Sequence, residues 1–119
     1  MKTIIAGCRH LTDYNLVVEA MEGCPWVDQI TEVVSGKAPG IDTLGERWAK
    51  ENGIPVTPFP ANWKKHGKAA GPIRNGEMAL YADALVAVWN GKSTGTRDMI
   101  AKARLKNLLW SVMEIDESS

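Results

Sequence analysis

Two glycine-rich stretches carry hydroxyl and basic side chains in a pattern that suits the binding of an anion. Residues 33–42 read Val-Val-Ser-Gly-Lys-Ala-Pro-Gly-Ile-Asp, and residues 90–96 read Asn-Gly-Lys-Ser-Thr-Gly-Thr. Each stretch follows an apolar run and precedes a helical pattern. Glycine lets backbone N–H groups approach a ligand, and the start of a helix adds unpaired N–H groups and the positive end of its dipole. We therefore expect the two loops to bind phosphate, although ordinary strand-to-helix connections remain the alternative.

Neither loop matches the phosphate-binding motifs of the common nucleotide enzymes. A Walker A loop needs Gly-Lys-Ser/Thr at a fixed distance after a first glycine, and that spacing is missing here. The Gly-x-Gly-x-x-Gly fingerprint of dinucleotide-binding folds is also missing. The loops still favour a nucleotide or nucleotide derivative as the ligand, because both suit phosphate. The two mismatches mean only that they indicate no particular cofactor.

Charged side chains beside these loops are candidates for contacts with the ligand. Arg9 follows the first apolar run and could bind phosphate with two hydrogen bonds, or it could be a solvated surface residue. Asp42 could accept a hydrogen bond from a ribose hydroxyl, or it could complement the helix dipole. Arg74 could clamp an anion or lie at the surface. Spacing alone reveals no acid/base pair, so the catalytic residues stay unknown, with Arg74, Asp42 and Asp98 as candidates.

Residues 60–71 form the one strongly basic segment. No acidic residue occurs between Glu51 and Glu77, and the segment contains Trp63, Lys64, Lys65, His66 and Lys68. These side chains could form a lid or a patch for nucleic acid, with Trp63 stacking on a base. The alternatives are an exposed loop and a tryptophan that packs against the domain.

Composition limits the classes of function. The 119 residues are 45% hydrophobic and 24% charged, with 14 basic and 14 acidic side chains. A neutral total argues against non-specific coating of DNA, and the chain is the right length for one domain. Cys8 and Cys24 lack the spacing of zinc ligands, so we expect no metal site. No apolar run is long enough for a membrane span, and we expect a cytoplasmic protein.

The elements that must position these residues alternate between strand and helix. Apolar runs predict strands at residues 3–6, 29–35, 54–59, 84–89 and 108–113, with helices between them. This alternation predicts an α/β fold with a mostly parallel five-stranded sheet in the order 3-2-1-4-5. Pro55 and Pro58 place the third strand at an edge. The loops at residues 7–13, 35–42 and 90–96 should then meet at the carboxyl ends of the strands. We assign residues 1–113 to one domain and residues 114–119 to an acidic C-terminal tail.

Four motifs in this order resemble those of the YspA-like, YpsA-related branch of the SLOG superfamily, whose members are common in bacteria and phages. They are Ala-Gly-Cys-Arg at residues 6–9, the stretch at 33–42, Gly-Pro-Ile-Arg-Asn-Gly-Glu-Met at 71–78, and Ala-Val-Trp-Asn-Gly at 87–91 with Ser-Thr-Gly-Thr at 93–96. The resemblance covers residues 2–112. It implies a Rossmann-like three-layer sandwich that binds nucleotides. The superfamily also includes the Lonely Guy phosphoribohydrolases and the DNA-processing protein A domain, which binds single-stranded DNA.

The resemblance also implies roles for particular residues. Arg74 takes the place of the catalytic arginine in the hydrolases' Arg-Lys-x-x-Met helix start. The hydrolases' Gly-Gly-x-Gly-Thr-x-x-Glu loop carries a catalytic glutamate, and Met99 stands at that position here. A thioether cannot polarise a ribose or assist water, so this departure argues against phosphoribohydrolase activity. Cys8 stands where serine is common, and a thiol is a weaker donor to phosphate.

The preferred hypothesis is a module that binds a nucleotide or another small molecule that contains phosphate. The alternatives are a nucleotide hydrolase that cleaves an N-glycosidic or phosphate bond and a protein that binds single-stranded nucleic acid. A homodimer stays open, and we expect no membrane contact. The predicted ligand-binding residues are Gly7, Cys8, Arg9, Ser35, Gly36, Lys37, Gly40, Asp42, Arg74, Asn75, Gly91, Ser93, Thr94, Gly95 and Thr96.

Overall fold

Strands and helices alternate along the chain in the structure, a computed structural model that describes residues 1–117. The strands are β1 (Lys2–Gly7), β2 (Glu32–Ser35), β3 (Val56–Pro58), β4 (Ala84–Trp89) and β5 (Leu109–Glu114). The helices are α1 (Tyr14–Glu22), α2 (Ile41–Glu51), α3 (Trp63–His66), α4 (Ala70–Tyr81) and α5 (Thr94–Leu105). No helix among residues 1–117 has the length and apolar character that crossing a membrane requires.

The five strands form one sheet in the order β3-β2-β1-β4-β5, and all four pairings are parallel. The sheet confirms the predicted strand order and the edge position of the strand that carries Pro58. β1 lies between β2 and β4, with Ile4 opposite Val34 on one side and Leu85 on the other. The chain passes from β1 to β2 and β3 on one side of β1, and then crosses to β4 and β5 on the other side. This reversal opens a crevice at the carboxyl ends of the strands.

Each face of the sheet is covered by its own apolar layer. Ile5, Val33 and Val86 point to the layer that contains α1 and α2. Ile4 and Leu85 point to the opposite layer, with α4 and α5. Successive side chains of a strand point to opposite faces, so a strand buried on both faces must be apolar throughout. This requirement explains the uninterrupted apolar sequence of β4. The sheet and the helical layer on each of its faces make the predicted three-layer sandwich.

Several predicted boundaries differ from the structure. β1 is one residue longer at each end, β5 is shifted by one residue, and β3 spans only Val56–Pro58, so that Pro55 precedes it. Two larger differences concern β2 and the basic segment. β2 begins at Glu32 and not at residue 29, because Val27–Gln29 form a 3-10 turn closed by a hydrogen bond from Ile30 N to Val27 O. Residues 60–71 are not one loop: they contain α3, a 3-10 turn at Gly67–Ala69 and the start of α4. Asn62 caps α3 by accepting a hydrogen bond from Lys65 N at 3.1 Å. A helix of four residues is too short to leave a periodic pattern in the sequence.

The segment assigned to the tail begins inside the sheet. β5 runs to Glu114, and Ile115 N then donates to Trp89 O at 2.8 Å. Glu117 accepts hydrogen bonds from His10 Nε2 and Asn90 Nδ2 at 2.8 and 2.7 Å. Residues 118 and 119 of the tail lie outside the described residues.

α2 packs closely on β1 at Gly45. A Cβ atom added at Gly45 would lie 2.7 Å from Cγ2 and 2.8 Å from Cβ of Ile5, and the latter atom cannot move without the backbone. Gly76 of α4 is a natural control, because the nearest atom to its added Cβ is Cε of Lys102 at 3.9 Å.

We expect Gly45→Ala to lower the free energy of unfolding by about 1–3 kcal/mol through overpacking. Gly76→Ala should raise it by about 0.4–1 kcal/mol, because alanine restricts the unfolded chain and favours helix. Urea unfolding of both variants and the parent measures the two changes. Equal effects of the two substitutions would contradict the close packing of α2 on β1.

Candidate functional site

A cleft of about 600 Å³ lies at the carboxyl ends of the strands. The segments after three strands border it, as expected: the end of β1 and its loop contribute Gly7 and Arg9, the loop after β2 contributes residues 37–39, and the end of the loop after β4 with the first turn of α5 contributes residues 93–96. α4 forms a further wall, and Trp63 and Lys68 from the basic segment also line the cleft. Loops that are far apart in sequence therefore share one cavity.

The loop after β4 presents an open helix N-terminus to the cleft. Asn90 Oδ1 accepts hydrogen bonds from Lys92 N and Ser93 N, both at 2.9 Å, and thereby fixes the turn. Ser93 Oγ caps α5 by accepting from Thr96 N at 3.4 Å. The first intrahelical bond of α5 runs from Arg97 N to Ser93 O. The amides of Thr94 and Gly95 precede that bond and are among the N–H groups that a helix leaves for other acceptors.

The loop after β2 bonds mainly to its own helix. Ser35 is fully buried, and its Oγ donates to Glu46 Oε2 at 2.6 Å and accepts from Lys37 N at 3.1 Å. The ammonium of Lys37 also contacts Glu46, at 2.9 Å. The sequence analysis missed Glu46, although it follows Asp42 by one helical turn on α2. Its carboxylate holds the loop closed against α2.

The glycines of this loop allow close packing with the neighbouring segments. Gly40 has φ +78°, and a Cβ atom there would lie 2.5 Å from the carbonyl oxygens of Cys8 and Arg9. A Cβ atom at Gly36 would lie 2.6 Å from Nη1 of Arg74. These glycines are required by the protein's own contacts, whatever a ligand demands.

Arg74 and Asp42 form the charged centre of the cleft. Arg74 donates from Nη1 to Gly36 O and from Nε to Asn75 Oδ1, the latter at 3.0 Å. Burial lowers the pKa of Arg74, Asp42 opposes this change, and the positive charge of Arg9 adds to it. Asp42 is only 5% exposed, and burial raises its pKa to about 6 against the opposing effects of Arg74 and of the Ala38 and Gly7 amides. The carboxyl of Asp42 can therefore gain or lose a proton near neutral pH.

A second polar network links α4 to α5. Asn75 is buried, and its amide donates to Gly95 O at 3.3 Å and to Asp98 Oδ2 at 3.0 Å. Lys102 Nζ lies 2.7 Å from both carboxylate oxygens of Asp98. Met99 is buried beside them at the apolar floor of the cleft. The position that the family resemblance associates with a glutamate thus holds a thioether.

The structure divides the fifteen residues predicted to bind ligand into two groups. Those that line the cleft are Gly7, Arg9, Lys37, Asp42, Arg74, Asn75, Ser93, Thr94, Gly95 and Thr96. Those outside its lining are Cys8, Ser35, Gly36, Gly40 and Gly91. Cys8 is fully buried and donates from its backbone N to Val88 O at 3.3 Å. Gly91 faces Glu114 at the other side of its loop.

Comparison with known proteins supplies a family. The sequence model of the YspA, cpYpsA-related SLOG family matches residues 1–66, which is more than half of the chain. The chain belongs to this family. Membership in the SLOG family suggests a nucleotide-related ligand. The matched part runs from β1 through α3, so Arg74 and the first turn of α5 lie beyond it.

A relative of this SLOG protein is found in a phage. The Gene 61 protein of Mycobacterium phage D29 is 42% identical over 78 residues, which cover 60% of this chain and 62% of the relative. The chain thus spans less than two thirds of that protein's length. No solved structure matches.

The raised pKa of Asp42 makes the stability of this SLOG domain depend on pH. The folded protein holds the Asp42 proton more tightly than the unfolded chain, so this contribution to stability is present at low pH and is lost as pH rises from about 4 to about 6. The shift corresponds to about 3 kcal/mol. We expect the difference in unfolding free energy between the parent and Asp42→Asn to fall by about 3 kcal/mol as pH rises from about 4 to about 7.

Urea unfolding at several pH values measures this difference, and an NMR titration of the Asp42 carboxyl carbon should have its midpoint near 6. A difference that stays constant with pH, or a midpoint near 4, would contradict the predicted protonation.

Proposed function

We propose that the cleft binds a nucleotide or a nucleotide-derived small molecule and holds it by its phosphate. The observation that carries this proposal is that the first turn of α5 and the guanidinium groups of Arg9 and Arg74 border the same cavity. Backbone N–H groups at a helix N-terminus and guanidinium groups are both preferred partners of phosphate oxygens.

The balance of charge supports an anionic ligand. Four basic and two acidic side chains line the cleft. Lys102 pairs with the carboxylate of Asp98, Lys37 pairs with Glu46, and Asp42 gains a proton only as pH falls through its pKa of about 6, so Arg9, Arg74 and Lys68 supply the excess of positive charge. Arg9 is exposed and lines the cleft, so its guanidinium is accessible to a phosphate from solvent.

The size and lining of the cleft suit a small molecule. A volume of about 600 Å³ falls in the ordinary range for ligand pockets. The lining combines buried apolar side chains, Ala6, Met78 and Met99, with the buried polar side chains of Asp42, Asn75 and Thr96. A mononucleotide needs both kinds of contact, apolar ones for its base and polar ones for its ribose and phosphate.

Hydrolysis of a bound nucleotide is the second candidate, and one observation favours it. Asp42 lies in the cleft with a pKa of about 6, which is suitable for general acid or base catalysis near neutral pH. In this scheme Arg74 positions the phosphate, and Asp42 or Asp98 supplies the carboxylate. Incubation with nucleoside monophosphates, followed by chromatography for free base or free phosphate, tests it. Product that is formed by the parent and lost in Asp42→Asn would establish catalysis. If the parent forms no product, hydrolysis is excluded for these substrates and binding is the proposal that stands.

Binding should depend on the phosphate and on Arg9. We expect calorimetric titration to show that AMP binds and that adenosine binds more weakly. Arg9→Gln removes a charge-assisted contact of about 1.5–3 kcal/mol and should weaken AMP binding by about 10- to 150-fold. The matched control is Lys106→Gln, because Lys106 is an exposed cation at the far end of α5 and should have no effect.

Two results would contradict this proposal. One is that AMP, other nucleoside phosphates and pyrophosphate all leave the protein unbound at about millimolar concentration. The other is that a short single-stranded oligonucleotide binds, loses its affinity as salt rises from about 50 to 200 mM, and is not displaced by AMP. That outcome would favour the nucleic-acid alternative through Trp63, Lys64 and Lys65.

A further inference from the structure

We propose that Trp63 is the stacking surface for the base of the bound nucleotide and therefore decides which phosphate compounds the cleft prefers. This inference rests on the proposed function and adds the recognition of the ligand's other end. In this proposal the phosphate binds at the first turn of α5 and the base stacks on Trp63 of α3, and both segments line the cleft.

The indole ring of Trp63 stands at the mouth of the cleft. The side chain is 52% exposed and borders both the cleft and a shallower hollow lined by residues 60–64. Its Cη2 atom would lie 3.5 Å from a Cβ atom added at Gly71, so one edge of the ring packs on the first turn of α4. The ring is therefore supported on one side and open to the cleft on another.

The backbone around Trp63 is fixed by local hydrogen bonds. Asn62 Oδ1 accepts from Lys65 N at 3.1 Å, and His66 N donates to Asn62 O at 3.0 Å. Gly67 then turns the chain with φ +56°. A side chain on a capped turn loses less conformational entropy on binding than one on an irregular loop.

The other four tryptophans are either buried or covered by an arginine. Trp26 and Trp48 are buried. Trp89 and Trp110 lie under arginines, with the Arg97 and Arg104 guanidinium carbons 5.7 and 5.2 Å from the respective ring centroids. Among the described residues, no lysine or arginine side chain is found stacked over Trp63. An exposed indole at the rim of a cleft, without a covering group, is suited to stack on a planar ligand.

The charges next to the ring favour a nucleotide over an uncharged aromatic compound. Lys68 lines the cleft together with Trp63, and Lys64 lines the adjoining hollow. Stacking is tolerant of base identity, because every base has a π-face. A two-ring purine covers more of the indole than a one-ring pyrimidine. We therefore expect AMP to bind more tightly than UMP, and both to bind more tightly than ribose 5-phosphate, which has no base.

The experiment compares AMP with ribose 5-phosphate in four proteins by calorimetric titration: the parent, Trp63→Leu, Trp63→Phe and Trp110→Leu. Trp63→Leu should weaken AMP binding by about 5- to 150-fold, the range that follows from stacking of one base, and should leave ribose 5-phosphate unchanged. Trp63→Phe keeps an aromatic face and should retain most of the AMP affinity. Trp110→Leu is the matched control, because Trp110 is 49% exposed and does not line the cleft.

Quenching of tryptophan fluorescence gives a second readout. AMP should quench the emission of the parent and of Trp110→Leu, and ribose 5-phosphate should quench neither. The quenching should disappear in Trp63→Leu and Trp63→Phe, because the stacked indole is then missing. Circular dichroism and thermal unfolding of each variant confirm that the fold is kept.

The outcomes separate this inference from the proposed function. Equal affinity of the parent for AMP and ribose 5-phosphate would overturn the role of Trp63 and leave phosphate binding in place. An equal loss for both ligands in Trp63→Leu would also overturn it, because the ring would then shape the cleft and not recognise the base. Absence of binding by either ligand to the parent would overturn both proposals together.

Discussion

The guanidinium of Arg74 joins two parts of the chain that the sheet alone would leave separate. It projects from α4, bonds to the carbonyl of Gly36 in the loop after β2, and lies close enough to Asp42 of α2 to affect its pKa. Gly36 must lack a side chain for this contact, since a Cβ atom would lie 2.6 Å from the guanidinium. Removing Arg74 would take away the positive charge that opposes the rise in the pKa of Asp42, and the Gly36 carbonyl would lose this donor. The shape of the cleft thus depends on these contacts, and the proposed ligand binding would use residues on which the packing also depends.

The two glycine-rich loops have different roles despite their similar sequences. In the loop after β2, the hydroxyl of Ser35 and the ammonium of Lys37 both bond to Glu46, so its polar groups are largely used within the protein. In the loop after β4, Asn90 and Ser93 close the turn and cap α5, and Thr94 and Gly95, whose amides precede the first intrahelical bond, line the cleft. The first loop is built mainly for packing, and the second leads into the helix start on which the proposed anion binding rests.

Much of the fold could be predicted because the signals are local. Apolar runs located β4, prolines placed β3 at an edge, and right-handed crossovers left one reasonable strand order. The side-chain contacts could not be predicted in this way. The bond from Arg74 to Gly36 spans 38 positions, and nothing near either residue indicates the other. Ser35 was expected to contact ligand because its hydroxyl could donate a hydrogen bond to phosphate. In the structure it is buried at the end of β2 and donates to Glu46, which lies one turn after Asp42 on α2. The four-residue helix α3 escaped detection because so short a helix has no periodicity.

The carboxylates of the cleft indicate whether it is suited to catalysis on a ligand as well as to the proposed binding. Asp98 bonds to Lys102 and Asn75, so its carboxylate oxygens are engaged by side chains of α4 and α5. Asp42 has a pKa of about 6, but the amides of Ala38 and Gly7 donate to it. A general base needs an oxygen that is directed at the substrate, and these contacts direct Asp42 toward the loops after β1 and β2. Met99 adds no acid/base group at the floor. The same interactions that assemble the cleft therefore restrict its most suitable catalytic group, which favours binding over catalysis.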